Sequence, residues 1–446
     1  MALPRVSVVG GGLAGSEAAY QLAERGYDVV LHEMRPVKPT PAHKTARLAE
    51  LVCSNTFKST EITNAHGLLK AEMRAIGSII LQAADEARVP GGSALAVDRD
   101  LFAAAVHDRV SSHPRIRIVR EEVTSLLSPG IIATGPLTSD ALAAAIRERL
   151  GVESLAFYDA IAPIVAGESI DASKVWRASR YDRETMEGAP DEGAYINCPM
   201  TREAYEAFID ALSSADQYAG HDFDQVSYFE GCMPIEEMAR RGRETLRFGP
   251  MKPVGLRDPS TGREPYAVVQ LRMEDRDGRM WNLVGCQTRL RIPEQQRVFK
   301  LIPGLEDAEF LRYGSIHRNS YLNSPASLTP HLALRDDRQL LFAGQLTGVE
   351  GYTESSATGL LAGINLARML GGEDPVIPPP TTMLGGLYRY LREADPQHFQ
   401  PMNANFGLLD ELPERVRDKR RKRELLADRA LADLAAWWEG ASEAVR

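Results

Sequence analysis

The chain has 446 residues, with 52 Lys and Arg against 61 Asp and Glu, and a formal net charge of -9. That length allows two or three domains and a large buried core, and 44% hydrophobic with 25% charged residues is an ordinary soluble globular composition. No apolar run of about eighteen residues marks a membrane span, and an acidic balance does not advertise general nucleic-acid binding.

Val6 to Val9 reads as a short apolar strand, followed by Gly10-Gly11-Gly12-Leu13-Ala14-Gly15 and a helical pattern. A second strand, Tyr27 to His32, ends at Glu33. This order predicts a dinucleotide-binding β-α-β unit. Gly10 permits the tight turn, Gly12 lets the backbone approach a pyrophosphate, and Gly15 lets helix and strand pack closely. The helix N-terminus offers unpaired N–H groups to the phosphates, and Glu33 is placed to bind a ribose hydroxyl. The pattern starts at Val6, so no leader peptide is expected ahead of it and a cytoplasmic location is.

Pro36 to Thr60 reads as a long polar loop. Gly67 to Asp85 has helical spacing, with Leu68, Leu69, Met73, Ile76 and Ile80 on one face. Leu101 to Val110 predicts another helix, and Arg115–Val119 and Glu122–Leu126 alternate like strands. Ile131 to Pro136 predicts a strand ending in Thr134-Gly135, as in flavoproteins where the chain returns beneath the adenine half. Val123 joins Thr134 and Gly135 in the expected cofactor-binding set.

From about Leu155 to Tyr313 the β-α-β order is lost, and short strands and helices alternate with Gly and Pro. Tyr266–Leu271 and Trp281–Gly285 look like paired strands around an Asp277-Gly278 turn. The first pattern resumes near Ser315. Gln339–Ala343 predicts a buried strand, followed by a Gly-rich loop and a small-residue helix to about Leu370. In this loop Gly344, Gln345, Gly351, Tyr352 and Thr353 are expected against the cofactor. The helix start directs its positive end at the ring and favours an anionic reduced flavin. The tail from Glu411 reads as a charged helix. The fold expected is α/β: a Rossmann-like FAD-binding domain of glutathione-reductase-like type, with an inserted α+β domain and a helical C-terminal tail. The boundaries fall at 1–154, 155–314 and 315–446.

The four cysteines, Cys53, Cys198, Cys232 and Cys286, are widely spaced and form no CxxC pair, so neither a metal site nor structural disulfides are expected. Cys198 and Cys286 read as structural, the latter inside an alternating strand. Cys53 lies in the polar Leu51–Lys58 segment, and Cys232 lies just before a helix start at Pro234, where N–H groups favour thiolate and Glu230, Glu236 and Glu237 oppose it. Two thiols beside a flavin can form a redox disulfide. Alternatively one adds to carbon 6 of a uracil, while a second group removes the carbon-5 proton. No second G-x-G-x-x-G follows a strand, so a pyridine nucleotide is expected to bind only transiently.

Six segments together resemble the folate- and FAD-dependent tRNA (uracil-5-)-methyltransferases. They are Gly10 to Ala19, Leu51 to Lys58, Tyr195 to Met200, Phe229 to Glu236, Gly344 to Ser355 and Asn403 to Gly407. The resemblance implies methylation of the T-loop uridine of tRNA, with methylenetetrahydrofolate as carbon donor, FAD as carrier and NADPH or NADH as reductant. It matches Cys53 and Cys232 to the family's two functional cysteines. Cys232 is read as nucleophile and Cys53 as base or guard of the carried carbon, with the reverse assignment open. The alternatives are a relative of the wobble-uridine carboxymethylaminomethyl-modifying flavoproteins and a non-catalytic flavin-bound RNA chaperone. Arg289, Arg291 and the Lys419–Arg423 run are the expected RNA-facing cations.

Overall fold

The computed structural model describes residues 5–40, 42–151, 155–183, 186, 193–218 and 233–443. The first segment builds β1 (Val6–Val9), α1 (Leu13–Glu24), β2 (Val29–His32), β3 (Thr56–Ser59), α2 (Ala65–Ile76) and α3 (Ile79–Glu86). It continues through β4 (Arg88–Val89), β5 (Ala94–Val97), α4 (Arg99–Ser112), β6 (Ile116–Val119), β7 (Gly130–Ile132) and α5 (Asp140–Leu150). The middle segment holds β8 (Leu155–Ile161), β9 (Ile164–Ala166), β10 (Trp176–Arg177), β11 (Tyr195–Met200), α6 (Arg202–Ser214), α7 (Ile235–Arg240) and α8 (Thr245–Phe248). It ends with β12 (Ala267–Met273), β13 (Met280–Leu283), α9 (Ile292–Phe299) and β14 (Phe310–Arg312). The last segment holds β15 (Ser315–Tyr321), α10 (Ser324–Ser327), β16 (Leu340–Phe342), α11 (Tyr352–Leu370), α12 (Met383–Glu393) and α13 (Lys419–Glu443).

A five-stranded parallel sheet orders its strands β16-β7-β1-β2-β6. The chain moves outward from β1 through β2 to β6, then returns to β7 on the other side. The carboxyl end of β1 is therefore a topological switch point, the place where open α/β sheets bind ligands. Its strands are short apolar runs packed under α1, which touches β1, β2, β6 and β7. Helix α11 lies across α1 at close range. A Cβ on Gly359 would sit 2.2 Å from the Ala14 carbonyl oxygen, and one on Gly363 would sit 2.7 Å from that of Ala18. Small residues at this crossing bring the α11 N-terminus to the end of β1.

The middle segment forms a six-stranded sheet in the order β10-β11-β12-β13-β9-β14. Buried apolar side chains fall into two clusters. One gathers residues from Val6 to Ile146 and from Tyr321 to Leu434, and the other gathers residues from Val165 to Ala308. Strands β8 and β15 pair antiparallel as the two chain passages between these cores. The expected hairpin is present, with Leu271 opposite Leu283 and Met273 opposite Trp281.

Several local expectations change. The Gly67–Asp85 helix is two helices, broken at Gly77 in the left-handed region (φ 94°). Helix α3 restarts on a Ser78 cap, and the buried Glu17 carboxylate accepts the N–H groups of Ile79 and Ile80. Glu122–Leu126 is not a strand, and Glu122 and Val123 line a cleft instead. Within the Pro36–Thr60 loop, Thr56–Ser59 is a strand paired with β5. The tail helix begins at Lys419 rather than near Glu411. Cys286 follows β13 instead of lying in it. Among the described residues, no helix is long and apolar enough to cross a membrane.

Candidate active site

An open cleft lies at the carboxyl end of β1, where such sheets bind their ligands. Its walls include Gly10 to Ala14, His32 to Arg35, Glu121 to Val123, Ala133 to Ser139, Gly344, Gln345, Tyr352 and Ser355. Thus Gly10, Gly11, Gly12, Leu13, Ala14, Glu33, Val123, Thr134, Gly135, Gly344, Gln345 and Tyr352, expected at a cofactor, converge on one cavity. Gly15, Gly351 and Thr353 do not line it. Gly15 is a packing position: a Cβ there would lie 1.8 Å from the Gly10 carbonyl oxygen. Gly351 precedes α11 with a φ of 115°, and Thr353 is buried.

The glycine turn has the form a pyrophosphate needs. A Cβ on Gly12 would meet no protein atom within 4 Å. Helix α1 starts there with no side-chain cap and no acidic residue in its first turn. Its first N–H groups are therefore left for a ligand, and they carry the positive end of the helix. These residues fit a bound dinucleotide.

Glu33 is more constrained than expected. Its carboxylate accepts the Gly11 N–H at 3.0 Å and is gripped from both oxygens by Arg35. Burial pushes its pKa up, but the Arg35 hydrogen bond and charge outweigh that and hold it below the ordinary carboxylate value. Arg35 also reaches Glu50 at 3.2 Å. The Glu33–Arg35–Glu50 chain braces the floor of the cleft. Arg35 and Glu50 carried no signal of their own in the sequence, although Arg35 stands only two residues beyond a recognised strand-end acid.

At the other end, Tyr352 begins α11 and its Oη accepts the Cys53 N–H at 2.8 Å. Burial first, and then the neighbouring Cys53, push the Tyr352 phenol well above its ordinary pKa, so the phenol keeps its proton. Cys53 is half-buried, next to the cleft-lining Val52. Behind Tyr352, the buried Glu354 carboxylate lies 3.1 Å from His66 Nδ1 and accepts the Ala404 N–H at 2.9 Å. Burial raises its pKa, but the His66 hydrogen bond and the Lys58 charge prevail and bring it to about 2. Asn403–Gly407 is thereby tied to the start of α11.

Cys232 lies outside the described residues. Pro234 caps α7 rather than occupying its first turn, where Glu236 and Glu237 stand. Glu236 is buried and accepts from Thr288 Oγ1 and the Arg289 N–H. Arg289 is itself buried and paired with Glu237. It is therefore a core ion pair and not an RNA-facing cation, because those two carboxylates claim it. Arg291 and Lys419 to Arg421 are exposed. Burial drives the thiol pKa of Cys198 far up and that of Cys286 to about 12, so both are inert packing groups.

The family model described as "GIDA: Glucose inhibited division protein A" matches residues 5–374. The chain belongs to this family. Within the GIDA family it is 57% identical over 434 residues to the methylenetetrahydrofolate--tRNA-(uracil-5-)-methyltransferase TrmFO of Geobacter sulfurreducens, covering 97% of this chain and 98% of that one. It is 54% identical over 427 residues to the TrmFO of Bacillus subtilis, covering 96% and 97%. The crystal structure of Aquifex aeolicus GidA superposes with a TM-score of 0.70 at 17% identity, covering 99% of this chain and 75% of that one. That likeness establishes the GIDA fold.

Proposed function

We propose that the protein methylates carbon 5 of the T-loop uridine of tRNA to ribothymidine, with methylenetetrahydrofolate as carbon donor, FAD as carrier and NADPH or NADH as reductant. The observation that carries this reading is the end-to-end match, at 53% to 57% identity, to methyltransferases of that name. The division into 1–154, 155–314 and 315–446 belongs to the same reading, as does a cytoplasmic location.

FAD, when bound, supplies a carrier for the one-carbon unit and a relay for two electrons. In this reading Gly11, Gly12 and the α1 N-terminus bind its pyrophosphate, and Glu33, braced by Arg35, faces the ribose. Thr134, Gly135 and Val123 line the adenine side. Gly344, Gln345 and the start of α11 lie at the ring. A thiolate adds to carbon 6 of the uracil, and the displaced electron pair makes carbon 5 nucleophilic. Carbon 5 bonds to the one-carbon unit as that unit's bond to its carrier breaks, the carrier keeping the electron pair, and a base takes the carbon-5 proton. The carbon–sulfur bond then breaks, and two electrons originating in NAD(P)H bring the new carbon to the methyl level. Cys232 is assigned the nucleophile and Cys53 the base or guard.

Mass spectrometry of the T-loop nucleoside after incubation with tRNA, folate and NAD(P)H tests the activity. Unmodified uridine with flavin-loaded protein would sink it. A tRNA containing 5-fluorouracil should trap a covalent adduct with wild type and with Cys53→Ala, but not with Cys232→Ala. An undiminished adduct in Cys232→Ala would reverse the two roles.

A further inference from the structure

The loop that carries Cys53 is held by side chains from three separate elements. Arg99, the first residue of α4, donates to the carbonyls of Leu51 at 2.6 Å and Cys53 at 2.9 Å. Arg312, at the end of β14, donates to the carbonyl of Val52 at 2.6 Å. Three successive carbonyls thus each accept from a guanidinium, and the Cys53 N–H is taken by Tyr352. Hydrogen bonds from charged donors are about twice as strong as neutral ones.

Both arginines depend on the middle segment. Arg312 belongs to it. Arg99 is paired with the buried Glu274, immediately after β12. Asn55, fully buried two residues beyond Cys53, donates to the Met273 carbonyl at 2.8 Å and accepts from Arg272 at 2.8 Å. The thiol's loop is thus held jointly by both cores, and Arg312, Glu274, Met273 and Arg272 are the part supplied by the core that does not contain the nucleotide turn.

We propose that Arg312 is a positioning residue for Cys53: with Arg99 it clamps the Leu51–Cys53 backbone to the seat of the middle segment, so that docking of that segment presents the thiol at the cleft. The clamp acts on chemistry through the role given to Cys53 above and rests on that reading.

The test uses the FAD-loaded full chain. In Arg312→Ala, hydrogen exchange of the Leu51–Asn55 amides should speed by about tenfold or more, the loss of one charged hydrogen bond. Exchange in α1 and β1, and flavin content, should stay as in wild type. The kcat for T-loop methylation should fall by about tenfold with KM for tRNA within about twofold. Arg312→Lys, which keeps one donor, should recover part of both effects. Should Arg312→Ala fail to fold, Arg312→Lys and Glu274→Gln read the same exchange. Wild-type exchange of the loop in these variants would overturn the proposal, and so would faster exchange with an unchanged kcat. If Cys53→Ala methylates as well as wild type, the role given to Cys53 fails instead, and an exchange effect in Arg312→Ala would still stand.

Discussion

Gly12 and Gly15 stand three residues apart and meet different demands. A side chain on Gly12 points into the open cleft, whereas one on Gly15 strikes the Gly10 carbonyl. Gly12→Val should therefore leave the stability of the flavin-free protein within about 0.5 kcal/mol of wild type, yet yield colourless protein. Gly15→Ala should destabilise even the flavin-free protein, by about 2 kcal/mol, through overpacking. Urea unfolding and the visible spectrum separate the two, and a yellow Gly12→Val would refute a pyrophosphate at this turn. Glu354 makes a second residue-scale claim. Its folded pKa of about 2 lies below the unfolded value of 4.5. The stabilisation is thus fully present above pH 4.5 and is lost as pH falls toward 2. The shift corresponds to about 3 kcal/mol. Glu354→Gln should flatten the fall in stability across that window; parallel curves for variant and wild type would show the carboxylate to be uninvolved.

At the scale of elements, α13 is more than a solvated tail. Arg423 lies over the Phe406 ring, 5.9 Å from its centroid. Phe406 belongs to the same loop as Ala404, whose N–H binds Glu354 at the start of α11. The basic start of α13 is thereby linked to the loop that holds the start of α11, and Lys419, Arg420 and Arg421 face solvent. With Arg289 withdrawn into its ion pair, this run and Arg291 are the remaining cations of the expected RNA face. Neutralising Lys419, Arg420 and Arg421 together should weaken tRNA binding and flatten its dependence on log salt by up to about 3 units. Flavin content should be unaffected. Affinity measured from low to moderate salt decides it, and an unchanged slope would return α13 to a purely structural role.

For the whole molecule, the two cores divide the work. Every wall of the cofactor cleft comes from the segments that surround the parallel sheet. A ligand that binds only the folded state stabilises by about 2.7 kcal/mol when its concentration is a hundredfold above Kd. Stripping the flavin should therefore speed hydrogen exchange in β1, α1 and α11, while β11, β12 and β13 keep their protection. Equal loosening of both sheets would show that the cores unfold as one unit.

Much of this was legible in the chain alone. The parallel-sheet strands are short apolar runs, and the glycine turn, Glu33, the Thr134-Gly135 return and the Gly344–Tyr352 loop each follow a strand or precede a helix. Local spacing determines such features, because the backbone demand at each turn falls on the residues of that turn. The break at Gly77 was missed although its signals are local, a left-handed glycine and the Ser78 cap after it; the irregular path after β6, by contrast, is set by the cleft it helps to line. The seats of Arg35, Arg99, Arg289 and Arg312 were not readable at all. A charged side chain in sequence carries no sign of whether water, a phosphate or a buried carboxylate will take it. Arg99 finds Glu274, 175 residues away, only because two cores fold and dock. That long-range pairing, not local propensity, decides which cations brace the thiol's loop and which are left to solvent.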